Sequence, residues 1–395
     1  MSRLNPGRLA ALKALIAVDR GAHAEDELVR FAPPGGPDRG LAWHLCLGTL
    51  RVQGALDAHL QQFVQKPLRK VDVPVLCALR MGLYECTKSR TPSRAAVDQA
   101  VEGVRAVGLG RATGFVNAVM RKAIGKSVEF APGKNLPPWL AARWSAHGDW
   151  LYRIQEPARI NVAGTRPDET HASVAMIDGE PVPDMWQLGD RIGNVTSIPG
   201  FDEGEFWVMD PAAAHVVDIL LARLDPTSSV LDACAAPGGK SFRIARCGHQ
   251  VTAVDKDPRR IDRLRENCER LGLRLNIRQH DWMGPFDREI GIHDAVVVDA
   301  PCTALGTVRR HPEILWRRQM GDIYAMSIVQ RRILQQASQH VKPGGYLLYA
   351  VCSTEPEEGI QVVESLNEWK ILQQWSSVPP RGDEDAFQSF LLQQE

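Results

Sequence analysis

Along the first third of the chain, apolar residues recur every three or four positions. Leu9, Leu12, Leu15 and Ile16 fall on one stripe, the spacing of an amphipathic helix. Leu41, Leu45, Leu47 and Leu50 repeat the pattern, as do Val75, Leu76, Leu79, Met81 and Leu83. Ala96, Val97, Ala100, Val101 and Val104 follow, then Phe115, Val116, Val119 and Met120. Breakers separate these runs: Pro33 to Pro37, Pro67, Pro74, Pro92 and Gly108 to Gly110. The pattern predicts an all-α bundle over residues 4–125. Residues 126–140 are rich in Gly and Pro and read as a linker. A short helical stretch with Trp139, Trp144 and Trp150 comes next. Residues 157–205 hold short alternating segments between Gly, Pro and Asp turns, which predict a small α/β or β-rich insert.

From Val208 onward the period changes. Apolar strands are expected at Ser229–Asp232, Gln250–Asp255, Asn276–Gln279, Asp294–Asp299 and Gly345–Val351. The fourth is nearly all apolar and is expected at the sheet centre. Helical patterns lie between them, including a charged one over about 258–271. Strands alternating with helices predict a doubly wound, mostly parallel, Rossmann-like sheet. Ligands in such sheets bind at the carboxyl ends of the strands. The expected division is 1–126, 127–205 and 206–395, which suits a chain of 395 residues.

Composition adds limits. The chain is 44% hydrophobic and 24% charged, as in soluble globular proteins. No apolar run reaches the roughly 20 residues a membrane helix needs. The first apolar stretch is broken by Lys13 and does not read as a secretory signal. The eight cysteines show no CxxC pair and no zinc spacing, so no metal site is expected. Reduced thiols and a cytoplasmic location are the expectation. Net charge is zero, but its distribution is uneven. Residues 1–126 carry 19 Lys and Arg against 10 Asp and Glu, leaving 28 against 37 in the remainder. A basic helical module beside an acidic one points to a polyanion such as RNA; a merely soluble basic bundle fits the charge equally well.

The strongest local signal is the stretch Asp232-Ala-Cys-Ala-Ala-Pro-Gly-Gly-Lys240-Ser, between a strand and a helix. Adjacent glycines let backbone approach a ligand, and the helix start offers free amides. The spacing is neither a P-loop nor GxGxxG. Asp255 ends the next strand, where a carboxylate can accept ribose hydroxyls. Asp281 follows the third, within reach of a base edge, and Asp299 ends the fourth. One such Asp is often only a helix cap. Four in succession beside a Gly-rich turn read as a nucleoside cofactor site.

Two cysteines fall at the same edge: Cys302, in Asp299-Ala-Pro-Cys302, and Cys352, just past the fifth strand. Cys46, Cys77, Cys86, Cys247 and Cys268 read as packing residues. A thiolate beside a nucleoside cofactor suits covalent catalysis on a pyrimidine. Addition to carbon 6 makes carbon 5 nucleophilic toward a methyl group. A proton donor near N3 would assist, and Asp299 is placed for that if protonated. Carbon 5 must then lose its proton and the thiol must leave. Position alone does not choose between the two thiols.

These residues resemble the NOL1/NOP2/Sun family of RNA cytosine-5 methyltransferases. The resemblance rests on Asp232 to Ser241, Asp299 to Cys302, and Tyr349 to Ser353 with Pro356-Glu-Glu. Thr307 to Pro312 and Met209-Asp210-Pro are also similar. Asp38-Arg39, Leu47 to Arg51, Leu79 to Tyr84, Ala96-Val97 and Gly114 to Val119 with Arg121 resemble a NusB-type RNA-binding domain. Family members with both parts act on bacterial 16S ribosomal RNA. The resemblance implies S-adenosylmethionine as cofactor, bound by Cys234, Ala235, Ala236, Pro237, Gly238, Gly239 and Lys240 with Asp255, Asp281 and Asp299. It implies Cys352 as the nucleophile and Cys302 as the residue that helps release product. It makes residues 1–126 the RNA-binding module and 206–395 the catalytic domain; the chain is expected to be a monomer.

Three positions depart from the family pattern. Val351 stands where Thr or Ser precedes the nucleophile, Ala304 where Gly is common, and Ala386 where Asp-Gly-Phe is more usual. Arg309, Arg310, Arg317 and Arg318 are candidates to grip phosphates, or simply solvated helix charges. Two other readings compete: a non-catalytic RNA-binding scaffold with a decayed methyltransferase fold, and a small-molecule methyltransferase. The second leaves both thiols and the basic bundle without a task.

Overall fold

The computed structural model describes residues 4–89, 91–167, 172–189 and 194–394. The chain forms two compact units. One is Met1–Pro157 with Val308–Arg318; the other is Ala158–Thr307 with Gln319–Glu395.

The first unit is helical. Its longer helices are Pro6–Asp19, Ala24–Phe31, Pro37–Arg51, Gln53–Leu60, Val73–Lys88, Ser93–Ala106 and Thr113–Ala123. Asn5 caps the first by accepting from the Arg8 amide, and Pro6 follows where a missing N–H costs nothing. Val73–Lys88 is buried on nearly every side, including Leu76, Leu79, Met81 and Leu83. A helix apolar all round belongs at the centre of a bundle, and each fully buried Leu contributes roughly 1.5–3 kcal/mol. Gly48 lets Pro37–Arg51 approach it closely. A Cβ there would lie 2.1 Å from the Tyr84 hydroxyl.

The segment Val308–Arg318 packs into this same bundle. Trp316 Nε1 donates to the Leu50 carbonyl at 2.8 Å. Arg51 donates twice to the Arg309 carbonyl, and the Ala24 amide donates to Glu313 at 3.3 Å. This corrects the phosphate-gripping expectation for Arg309. Arg309 is buried and donates to the Pro157 carbonyl. Arg317 donates to the Ala22 carbonyl. Apolar Ile314 and Leu315, buried beside them, draw the segment inward.

The second unit holds two sheets. The smaller comprises β1 (Asn161–Gly164), β2 (Ala172–Ile177), β3 (Glu180–Leu188) and β4 (Phe206–Val208). Its order is β2-β3-β1-β4, with antiparallel pairing throughout. The stretch 127–205 therefore holds short helices and strands, as expected, but they part company. Pro138–Arg143 and Trp150–Arg153 lie in the helical unit and the strands in the other.

The larger sheet comprises β5 (Ser229–Asp232), β6 (Gln250–Asp255), β7 (Asn276–Gln279), β8 (His293–Asp299), β9 (Val341–Val351), β10 (Trp369–Ser376) and β11 (Gln388–Gln394). Its order is β10-β11-β9-β8-β5-β6-β7. Strands β9, β8, β5, β6 and β7 run parallel; β11 is antiparallel to β9, and β10 to β11. All five strands expected from the sequence are present, and β8 is central, between β5 and β9. The hydrophobic pattern did not mark the β10–β11 hairpin.

Alternation along β8 divides the core. Ala295 and Val297 join a cluster with Val216, Val217, Phe242 and Leu264 on one face. Val296 and Val298 join Ile333, Leu334 and Tyr349 on the other. Both faces of a parallel sheet are thus covered, which its continuous apolar strands require. The small sheet shares the first cluster through Ala175, Val182 and Met185. The strand order reverses between β5 and β8, so a crevice opens at their carboxyl ends.

Candidate active site

The Gly-rich turn leaves β5 at that crevice. Gly238 has φ +120, and a Cβ on it would enter the Phe242 ring at 2.0 Å. Only glycine fits there. It leads into helix Gly239–Arg246. Asp232 anchors the turn by accepting from the Ser241 hydroxyl at 2.6 Å. Burial raises its carboxyl to about 6, aided by Asp299 and opposed by Ser241 and Lys240. Cys234 lies in the turn with Ala235, Ala236 and Pro237. Burial and the charges of Asp232, Asp299 and Asp255 push its thiol well above the ordinary range, so it packs rather than reacts.

Two more strand ends hold the turn in place. Asp255 accepts from the Ala236 amide at 3.2 Å and the Asp257 amide at 3.0 Å. Arg260 reaches both Asp255, at 3.3 Å, and the Ala236 carbonyl. Trp282 Nε1 donates to the Ala233 carbonyl at 2.6 Å. Its neighbour Asp281 is exposed and accepts from the Met283 amide. Arg260 and Trp282 went unnoticed as site residues in the sequence, because nothing local distinguishes them.

Lys240 crosses the crevice. Its Nζ donates to Asp299 at 2.5 Å and lies 5.2 Å from the centre of the Phe387 ring. Burial pulls the ammonium down. The charge and hydrogen bond of Asp299, with Asp232 and Cys352, outweigh this and leave it raised. The pair holds a proton within one hydrogen bond of the end of β8.

The two thiols meet. Cys302 and Cys352 sulfurs are 3.4 Å apart although 50 residues separate them. Both side chains are half-buried. The hydrogen bond to Cys352, then burial, then the charges of Cys352 and Glu358, raise the Cys302 thiol well above the ordinary range. The Gly306 amide donates to the Cys352 carbonyl at 3.0 Å. A Cβ on Gly306 would sit 2.1 Å from the Ala386 carbonyl oxygen and 2.9 Å from that of Cys352.

The three departures find places. Ala304 has φ +60, the left-handed region that favours glycine. Ala386 donates to the Gly306 carbonyl with an ordinary backbone angle. Val351 is buried in the core face of β9, away from solvent.

Strand order, crevice, Gly-rich turn and paired strand-end thiols define a doubly wound methyltransferase. The comparisons agree. Residues 219–379 match the family model for 16S rRNA methyltransferase RsmB/F, and residues 5–125 match that of the NusB family. Ribosomal RNA small subunit methyltransferase B of Xanthomonas campestris pv. campestris is 34% identical over 390 residues, covering 91% of this chain and 86% of the relative. The protein of that name from Sodalis glossinidius is 37% identical, covering 83% and 80%. The chain belongs to the RsmB/F family. Among solved structures, PH0851 covers 99% of both chains with a TM-score of 0.80 and 21% identity. A methyltransferase homologue from Pyrococcus horikoshii covers 66% of this chain and 95% of its own, with a TM-score of 0.52 and 21% identity. These two share the fold.

Among the described residues no helix is long and apolar enough to cross a membrane. None of their His, Cys, Asp and Glu side chains form a metal-holding group.

Proposed function

We propose that this protein methylates carbon 5 of a cytosine in 16S ribosomal RNA, using S-adenosylmethionine and Cys352. The observation that carries the reading is the 3.4 Å thiol pair beside the Lys240–Asp299 pair. The family and the names of its relatives supply the substrate class. Residues 1–126 then form the RNA-binding module, 127–205 the linking region and 206–395 the catalytic domain of a cytoplasmic monomer.

The residues present fit a nucleoside cofactor. A Cβ on Gly239 would meet only Trp207 Nε1, at 4.0 Å, so that side of the turn is open. Asp255 uses two backbone amides and Arg260, yet a carboxylate has about four acceptor sites and can still take a ribose hydroxyl. Asp281 is exposed and would meet the base edge. Cys234 to Lys240 would hold the rest. S-adenosylmethionine, when bound, supplies the electrophilic methyl group for carbon 5.

The protein's own groups do the remainder. The target base must leave its stack to reach the thiols. The Cys352 thiolate adds to carbon 6. The proton held on the Lys240–Asp299 pair passes toward N3 and neutralises charge building on the ring. Carbon 5 gives its proton to solvent water, the carbon–sulfur bond breaks with its electron pair leaving on the Cys352 sulfur, and N3 returns its proton to the Lys240–Asp299 pair. The Cys302 thiol donates to the departing Cys352 sulfur and favours release.

The test incubates wild type, Cys352→Ala and Cys302→Ala with labelled S-adenosylmethionine and small-subunit ribosomal RNA. Denaturing gels report covalent adducts, and nucleoside analysis reports 5-methylcytosine. The expected result is neither product nor adduct with Cys352→Ala, and accumulated adduct with Cys302→Ala. Methylation by Cys352→Ala but not by Cys302→Ala would reverse the two roles. No transfer by wild type to any RNA would favour the scaffold or a small-molecule substrate.

A further inference from the structure

One buried carboxylate joins the loops that carry the two thiols. Glu358 is fully buried. Its Oε1 accepts from the Thr303 amide at 2.8 Å and from Gln330 Nε2 at 3.0 Å. Its Oε2 accepts from the hydroxyls of Thr303 and Ser353. Thr303 follows Cys302, and Ser353 follows Cys352. Gln330 also donates to the Pro301 carbonyl at 3.0 Å, on the other side of Cys302. The Glu358 carbonyl in turn accepts from the Tyr349 hydroxyl at 2.7 Å. All four donors to the carboxylate are neutral. A buried charge without a cation is costly, and its retention at this place calls for a role.

We propose that Glu358 is the positioning residue of the thiol pair: its carboxylate clamps the loop after β8 to the loop after β9 and keeps the Cys302 thiol facing Cys352 as a hydrogen-bond donor. Neutral donors alone could clamp an amide. The charge adds something an amide lacks: it disfavours a second negative charge on Cys302. The titratable groups facing Cys302 are Cys352, Glu358 and Tyr349. None is a cation, and the one group that favours the thiolate is the Ala304 amide, which the hydrogen bond to Cys352, burial and the charge of Glu358 outweigh. Cys302 stays an S–H donor to Cys352. The release role of Cys302 rests on the function proposed above; the placement and protonation of its thiol do not.

The experiment measures iodoacetamide alkylation of Cys302 and Cys352 against pH in the full-length protein without RNA or cofactor, read by peptide mass spectrometry. Wild type should alkylate Cys302 only well above the pH range of a free thiol, near 8.5. Glu358→Gln should move that midpoint down by about one pH unit, roughly a tenfold faster reaction at fixed pH below it. Glu358→Asp keeps the charge but is too short to span both loops. It should leave the midpoint high and lower kcat for methylation with KM for RNA unchanged. An unchanged Cys302 profile in Glu358→Gln would overturn the proposal. If Glu358→Gln does not fold, Cys352→Ala decides: with the hydrogen bond between the thiols gone, the Cys302 midpoint should fall below that of wild type yet stay above the free-thiol value near 8.5, and a free-thiol midpoint would overturn the proposal. If alkylation behaves as expected but no variant methylates RNA, the clamp stands and the function fails.

Discussion

Two pairs of cysteines occupy two regions of the molecule and meet different fates. Cys46 and Cys77 lie in the core of the helical bundle, 0% and 2% exposed. Burial pushes the Cys77 thiol up to about 12 and that of Cys46 further. They act as small hydrophobes. Cys302 and Cys352 lie at the carboxyl edge of the parallel sheet, half-buried, with directed polar groups around them. Lys240 interacts with Cys352, and Glu358 with Cys302. Burial alone makes thiols alike and inert. At the crevice a hydrogen bond between the thiols and a neighbouring carboxylate act on Cys302 besides burial.

The comparison breaks most visibly through Cys352. Cys352→Ala should lower methyl transfer by roughly 10³-fold or more, as expected for loss of a nucleophile, measured with labelled cofactor. Equal loss from Cys77→Ala would erase the distinction.

Next comes Asp232, beneath the crevice. Its folded carboxyl titrates near 6, and an unfolded Asp near about 3.9. Between these values the folded state keeps a proton that the unfolded state has released, so stability falls as pH rises from about 4 to about 6. Above that range the loss is about 3 kcal/mol. Asp232→Asn should flatten this slope in urea unfolding of the full chain. A slope that persists would mean another group carries it.

Smaller effects sharpen the contrast. Cys46→Ala should cost about 1–2 kcal/mol through the space it leaves, with kcat unchanged, as read by unfolding and turnover on the same sample. Ala304→Gly should stabilise by about 1 kcal/mol, because its φ of +60 suits glycine. A rise in unfolding midpoint checks it, and a fall would show that the Ala304 methyl packs.

Legibility differed between elements for physical reasons. β5, β6, β8 and β9 were readable because strands buried on both faces must be apolar throughout. The β10–β11 hairpin was not. β10 is an edge strand with little buried surface, and its Gln373 and Gln374 break any alternation. The arginines of Val308–Arg318 read as a surface charge run. Trp316, Ile314 and Leu315 carry that segment into the helical bundle instead. Glu357 and Glu358 are indistinguishable as letters, yet only Glu358 is fully buried between the two thiol loops.

By itself the sequence determined the elements, the Gly-rich turn and the set of strand-end carboxylates and thiols. Those depend on local spacing and on which residues sit at strand ends. Only the tertiary structure decided which groups meet. β8 and β9 pair in parallel with Asp299 opposite Ala350, so their carboxyl ends emerge side by side. Residues 50 positions apart thereby come within 3.4 Å. Parallel pairing is a long-range contact whose register is set by packing on both faces of the sheet, and no local pattern encodes that distance.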